Sequence, residues 1–366
     1  MDRVYNFSAG PGALPTEVLE KVRDNLLSYE GLGMSFMELE RSSPEFSAIV
    51  HEAEDALRRL MNIPSNYKVL FMQGGATLQY SAVPMNLLSA QKRADYIITG
   101  QSSKHAYSEA KKYGDIAIAA SSGGALPAFS AVPVTSRSDF RPDADYVHIC
   151  FSDQVYGTKF HYIPDTGNIP LVADMSSCIL SEPIDVTRFG VIYASAQQNI
   201  GPAGLTVVIV RGDLLGNARP DTPSLMNYKL MYESSSMYNT PPIFAIYTAK
   251  LVFERIAELG GLDEMKRRTE KKASLLYDFI DKQPYYTATA DSRCRSMTNV
   301  VFTTGDGELD RRFIAEAKDR GLVNLAGDKT IGGMRASMYN SVSYQAVQKL
   351  VEFMNEFAMN NPKVQT

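Results

Sequence analysis

The chain reads as an α/β protein in which helices cover a mainly parallel sheet, followed by a smaller α/β unit. Two observations predict this. Apolar, β-branched runs of strand length alternate with stretches of helical spacing, the pattern of a sheet buried between helices. The 366 residues also exceed what one hydrophobic core normally sustains, so two domains are expected. Gly260-Gly261 marks the boundary. Residues 1–15 then form an N-terminal arm, 16–259 a large domain and 260–366 a small C-terminal domain, with the arm packing against both.

In chain order, helices are expected over Pro15–Tyr29 and Pro44–Met61, then a strand over Val69–Met72 and a helix over Thr77–Leu88. Further strands follow at Tyr96–Thr99, Tyr146–Cys150, Leu171–Asp174, Val191–Ala194 and Leu205–Val210, each a short apolar run. Four helices close the chain, over Pro242–Leu259, Leu262–Lys282, Leu309–Arg320 and Ser343–Met359. The last carries Val347, Leu350, Val351, Met354 and Phe357 at helical spacing, which core burial explains. No internal repeat or low-complexity segment interrupts the pattern.

Composition excludes several classes of partner. A net charge of −4 and a pI near 5.7 argue against nucleic acid and anionic membranes. The basic run Lys266-Arg267-Arg268, with Lys271 and Lys272, reads as a solvated helix face. No apolar run reaches the ~18 residues of a membrane span, and Met1-Asp2-Arg3-Val4-Tyr5-Asn6 is not a secretory signal. A cytoplasmic protein is expected. Cys150, Cys178 and Cys294 lack metal-ligand spacing and are expected as reduced thiols, and the four histidines are scattered, so no metal is expected.

Three motifs point to chemistry. Gln73-Gly74-Gly75-Ala76-Thr77 lies between a strand and a helix, where glycine lets the backbone approach a ligand and free helix-start N–H groups bind phosphate. Sterically required glycine pairs in strand-to-helix turns are the plainer explanation. Asp174 ends a strand at the carboxyl edge, where open α/β sheets bind ligands, although a helix N-cap would also place an aspartate there. Asn239-Thr240-Pro241-Pro242 is a helix-start signal.

The order and identity of longer runs add a resemblance. Asn6-Phe7-Ser8-Ala9-Gly10-Pro11, Pro64 to Phe71, Ala173-Asp174-Met175-Ser176-Ser177, Pro183-Ile184-Asp185-Val186, Asn239-Thr240-Pro241-Pro242, Asn199-Ile200-Gly201-Pro202-Ala203-Gly204 and Gly333-Met334-Arg335-Ala336-Ser337 together resemble the phosphoserine aminotransferase family. These are class V aminotransferases of fold type I that use pyridoxal phosphate (PLP). The resemblance covers nearly the whole chain. It implies a large domain with a mainly parallel, seven-stranded type of sheet, a small α/β C-terminal domain, and a homodimer with shared active sites acting on a small amino or keto acid. It also implies residue roles. Gly75, Ala76 and Thr77 would hold the cofactor phosphate; Asp174 would pair with its pyridine nitrogen and keep the ring an electron sink; Gln197 is retained beside it. Asn239 and Thr240 would reach the neighbour's cofactor phosphate across the dimer, and Arg335 matches the arginine for the substrate carboxylate.

The departures gather at the implied site. Gln198 stands where the family's Schiff-base lysine precedes Asn-Ile-Gly-Pro-Ala-Gly, and a carboxamide cannot form an imine. Ser102 takes the place of the stacking aromatic, and Gln154 that of the threonine near the phenolic oxygen. Arg41-Ser42 and Asp328-Lys329 replace the two His-Arg pairs that contact substrate phosphate. An aspartate there opposes a dianion, since like charges ~4 Å apart repel by several kcal/mol at an effective dielectric near 20. Three functions are consistent with these residues. The first is a divergent enzyme that binds PLP or pyridoxamine phosphate (PMP) noncovalently and acts on an α-amino or α-keto acid. The second is a non-catalytic protein that binds a ligand or partner. The third is an ordinary phosphoserine aminotransferase, converting 3-phosphohydroxypyruvate with glutamate, in which Gln198 was introduced or is compensated, Lys329 being the nearest substitute.

Overall fold

The computed structural model describes residues 3–88 and 91–363. Its centre is a seven-stranded sheet formed by β1 (Tyr67–Met72), β2 (Arg93–Ile98), β3 (Asp115–Ser121), β4 (Tyr146–Cys150), β5 (Leu171–Asp174), β6 (Val191–Ser195) and β7 (Thr206–Arg211). The spatial order is β1-β7-β6-β5-β4-β2-β3. All neighbours run parallel except at β7, which is antiparallel to both β1 and β6. Strands β4, β5 and β7 are almost wholly buried, as expected of strands covered on both faces. One apolar cluster, built around Phe46, Ile49, Leu57, Ile149, Ile192 and Phe253, lies between the sheet and the helices Pro44–Met61 and Ile243–Glu258. A second, with Tyr96, Tyr146 and Tyr193, lies on the other face.

A three-stranded antiparallel sheet of β8 (Thr287–Ala288), β9 (Asn299–Thr303) and β10 (Met334–Ser337) has its own apolar cluster. Helices Gly261–Lys282, Gly307–Asp319 and Tyr344–Asn360 supply that cluster through Leu276, Phe313 and Leu350. The N-terminal segment touches both bodies. Tyr5–Asn6 pairs in parallel with Leu322–Val323, and the Gly12 N–H donates to the Gln197 carbonyl at 2.7 Å.

Most expected elements occur within a few residues of their positions, and the differences have local causes. The first helix spans Thr16–Asp24 rather than running to Tyr29. Asn25 ends it, because its side-chain amide donates to the Lys21 carbonyl while its Oδ1 accepts from the Glu30 N–H. The edge strand β3 and the helix Gln101–Ala110 went unread. The first is alanine-rich with little apolar alternation, and the second opens on serines that favour turns over helix interiors. Lys272 does not belong to a solvated face. It is buried, and its ammonium donates to the carbonyls of Met338, Tyr339 and Val342 at 2.7–2.9 Å, fastening that loop to the helix. Burial, with Arg268 nearby, pulls its pKa down to about 7 against three carbonyls that take every N–H of the charged form.

Candidate active site

The parallel strands deliver their carboxyl ends to one edge, and the loops leaving them build a cavity of about 370 Å³. Gly74, Gly75, Ala76 and Thr77 come from the turn after β1; Ser102 follows β2; Cys150 ends β4 and Gln154 follows it; Asp174 ends β5, with Ser176 and Ser177 after it; Ser195 ends β6, with Gln197 and Gln198 after it. Because β7 runs antiparallel, Gly204 just before it lies at the same edge.

The turn after β1 requires glycine. Gly74 and Gly75 have φ of 88° and 66°, and a Cβ on Gly74 would lie 2.6 Å from Leu78. Gly75–Leu87 is helical, and its first bond outside the regular ladder runs from the Leu78 N–H to the Gly74 carbonyl. Among the described residues the amides of Gly75, Ala76 and Thr77 therefore have no acceptor, which suits an anion the size of a phosphate.

Asp174 is 4% exposed, and its Oδ1 accepts from the Ser176 N–H at 2.9 Å. Burial raises its pKa to about 6; hydrogen bonds from Ser176 oppose the shift, and Asp153 adds to it. A cation brought to this carboxylate, such as a protonated ring nitrogen, would offset that desolvation. Asp153 is buried beside it, with Oδ1 accepting from the Val155 and Tyr156 amides at 2.8 and 3.0 Å and Oδ2 unpartnered. Burial raises the Asp153 carboxyl as well. Gly100 must be glycine, because a Cβ there would overlap this carboxylate.

At the other end Gln198 is fixed by its loop. The Ala196 N–H donates to Leu205, the Ile200 and Gly201 amides donate to Ala196, and the Asn199 side chain donates to Ile179 at 2.9 Å. Gln198 Nε2 donates to the Ala9 carbonyl at 3.1 Å and to Gln154 Oε1, while Gln198 Oε1 is buried without a partner. Tyr339 closes this group, its hydroxyl donating to the Ala9 carbonyl at 2.8 Å. Gln197 lines the cavity beside Gly10.

The structure therefore brings together Gly75, Ala76, Thr77, Ser102, Gln154, Asp174, Gln197 and Gln198. Arg335 reaches the group from β10, with Nη1 3.4 Å from the Gln154 carbonyl and Nε buried without a partner. Asp328, on the loop before β10, is held below the usual carboxylate range, chiefly by the Thr330 amide and also by Arg335 and Lys329. Lys329 is exposed and does not line the cavity. Neither do Asn239, Thr240 or Arg41. Arg41 instead donates to the Met237 and Tyr238 carbonyls at 3.1 and 3.3 Å, so these residues form one patch apart from their own chain's cavity. Sequence reading missed Tyr80, Cys150, Ser176, Ser177 and Ser195 in the lining and Tyr339 behind it. Tyr80 sits one helical turn beyond Ala76 and could have been found by spacing, whereas nothing local links Tyr339 to Ala9.

Comparison with known proteins agrees with this geometry. The class-V aminotransferase family model matches residues 4–350. Phosphoserine aminotransferase of Bacillus cereus is 48% identical over 361 residues, covering 99% of this chain and all of the relative. That of Nitrosomonas europaea is also 48% identical, over 369 residues. Among solved structures, phosphoserine aminotransferase from Bacillus circulans subsp. alkalophilus superposes with a TM-score of 0.95 at 40% identity, covering 98% of this chain and 99% of that one. The PLP-bound enzyme from Trichomonas vaginalis gives 0.90 at 37%, covering 96% and 100%. With its fold type I sheet order, its cavity at the strand ends and full-length identity to these enzymes, the chain belongs to the phosphoserine aminotransferase group of the class-V aminotransferase family.

Proposed function

We propose that this chain binds a vitamin B6 phosphate, PLP or PMP, reversibly in the cavity and acts on a small α-amino or α-keto acid without a covalent tie to the protein. One observation carries this reading. Among the described residues no lysine lines the cavity, and the position that faces it after β6 is Gln198, where the family's Schiff-base lysine would stand. The remaining lining fits the cofactor. The free amides of Gly75, Ala76 and Thr77 would take its phosphate, and Asp174 its ring nitrogen. When bound, the cofactor supplies an electron sink for the substrate α-carbon. The protein contributes position: Arg335 for a carboxylate, Gln154 for a polar group on the ring, and a cavity edge closed by Tyr339 and Ala9. No amine is present at 198 to move a proton between substrate and cofactor.

The Asn239 and Thr240 patch, with Arg41, supports a homodimer in which each chain presents it to the other's cavity. A cytoplasmic location is proposed as well. Among the described residues no helix is long and apolar enough to cross a membrane. The bounds 1–15, 16–259 and 260–366 are kept as the proposed domain division.

A second reading has its own support. Full-length identity near 48% to enzymes named phosphoserine aminotransferase favours the ordinary reaction of 3-phosphohydroxypyruvate with glutamate, and those names back it more directly than they back the divergent one. One experiment separates the two. The purified chain is loaded with PLP, its visible spectrum recorded, and borohydride added before dialysis. Noncovalent binding predicts that the cofactor dialyses away after reduction and that glutamate-dependent turnover of 3-phosphohydroxypyruvate is negligible. Cofactor locked to the chain, or efficient turnover, establishes the ordinary enzyme. Absence of binding at millimolar cofactor leaves a non-catalytic protein.

A further inference from the structure

The glutamine at 198 is oriented. The Ala9 carbonyl is an acceptor only, so the side-chain atom facing it at 3.1 Å must be the NH₂ group. The second hydrogen of that NH₂ goes to Gln154, which must therefore present its Oε1 to Gln198. Two polar atoms are left over. Gln198 Oε1 is a buried acceptor with no donor, on a side chain that is 6% exposed and lines the cavity. Among the described residues Gln154 Nε2 is a donor group with no protein acceptor. A buried unpaired acceptor is costly, so a ligand donor that reaches it gains affinity.

From this we infer that the site selects the amine form of the cofactor, PMP, over the aldehyde form, with Gln198 Oε1 accepting from the cofactor's amino group and Gln154 Nε2 donating to its phenolic oxygen. The inference rests on the proposal that a B6 phosphate occupies this cavity. The two forms differ at one carbon, which bears an aminomethyl group in one and a formyl group in the other. An ammonium donates to Oε1; a formyl oxygen opposes it. The amides of Gly75 to Thr77 and the carboxylate of Asp174 meet parts that both forms share and so do not distinguish them.

Calorimetry on the native chain with PMP, PLP and 4′-deoxypyridoxine 5′-phosphate, which carries a methyl group at that carbon, tests this. PMP should bind roughly tenfold to a hundredfold more tightly than either of the others, the scale of one charge-assisted hydrogen bond. In Gln198→Met, of similar length but without the acceptor, the three affinities should converge to within about threefold. Equal affinities for the three ligands on the native chain overturn the inference while leaving the cavity's use intact, and so does a preference that survives in Gln198→Met. If none of the three binds the native chain, both the inference and the reading beneath it fail. The native comparison stands alone should the variant not fold.

Discussion

At one end of the cavity the free groups are backbone amides, from Gly75, Ala76 and Thr77, together with the buried carboxylate of Asp174; at the other they are two side-chain amides, Gln154 and Gln198, tied to each other and to Ala9. The first end is made by the fold itself. A strand end, a left-handed glycine pair and a helix start give three amides without acceptors, and any chain with this topology and these glycines would have them. The second end depends on what single side chains can do. On the proposed reading, the amide at 198 leaves binding groups in place but offers no proton carrier, so binding and turnover are expected to be separable.

The largest effect expected tests that separation at the amide end. Gln198→Lys should give a yellow protein that borohydride reduces irreversibly, with transamination raised by ~10²–10⁴, the usual contribution of a general acid–base group. Phosphorylated substrate should still be handled poorly, because Arg41-Ser42 and Asp328-Lys329 remain. Steady-state kinetics with phosphorylated and unphosphorylated keto acids checks both parts. If the single change restores efficient phosphoserine turnover, the other departures are neutral and the two ends were not separately altered.

A smaller effect is expected at the fold-made end. Burial lifts the Asp174 carboxyl from its ordinary value of 3.8 to about 6, so the folded state holds the proton more tightly. The stability this group contributes is complete below pH ~4 and is lost as pH rises through about 6, a total of roughly 3 kcal/mol at most. Asp174→Asn should remove that slope. Denaturant titrations of both proteins between pH 4 and 7 would show the native chain losing ground to the variant as pH rises. With saturating PMP the loss should shrink, since a pyridinium nitrogen then pairs with the carboxylate. Identical pH profiles would mean that Asp174 does not bear the burial cost. Asp174→Ala should weaken PMP and PLP alike, by ~1–3 kcal/mol, because both share the ring nitrogen.

The difference between the two ends also explains what sequence could reveal. The strands Tyr146–Cys150 and Leu171–Asp174 and the helix Pro44–Met61 were readable to the residue, because short, continuous apolar runs mark the strands and the Ser43 cap with Pro44 marks the helix start. The glycine turn and Asp174 were readable for the same reason, being local. Tyr339 was not, since its bond to Ala9 joins residues 330 positions apart and leaves no trace in spacing. Lys272 misled because its neighbours Lys266, Arg267, Arg268 and Lys271 suggest a charged face, whereas three carbonyls of a distant loop hold it inside. Asn239, Thr240 and Arg41 stay apart from their own cavity, so a single chain does not join them to it.

The smallest expected effect comes from the glycine turn, and it probes the fold-made end without removing any of the three amides. Gly75 has φ of 66°, and a Cβ built there meets only Ser195 Oγ at 3.6 Å. Gly75→Ala therefore adds no clash, only the left-handed strain of an L-residue, about 1 kcal/mol. Gly74→Ala has the strain plus a 2.6 Å approach to Leu78, so it should cost more. Because strain can be relieved by turning the helix start, and the amides of Ala76 and Thr77 would turn with it, Gly75→Ala should weaken binding of inorganic phosphate and of PMP by the same factor. Thermal unfolding and calorimetry with both ligands measure the two effects. A variant that loses stability but keeps its phosphate affinity would show that the amides are held by the body of the helix and not by the glycine turn.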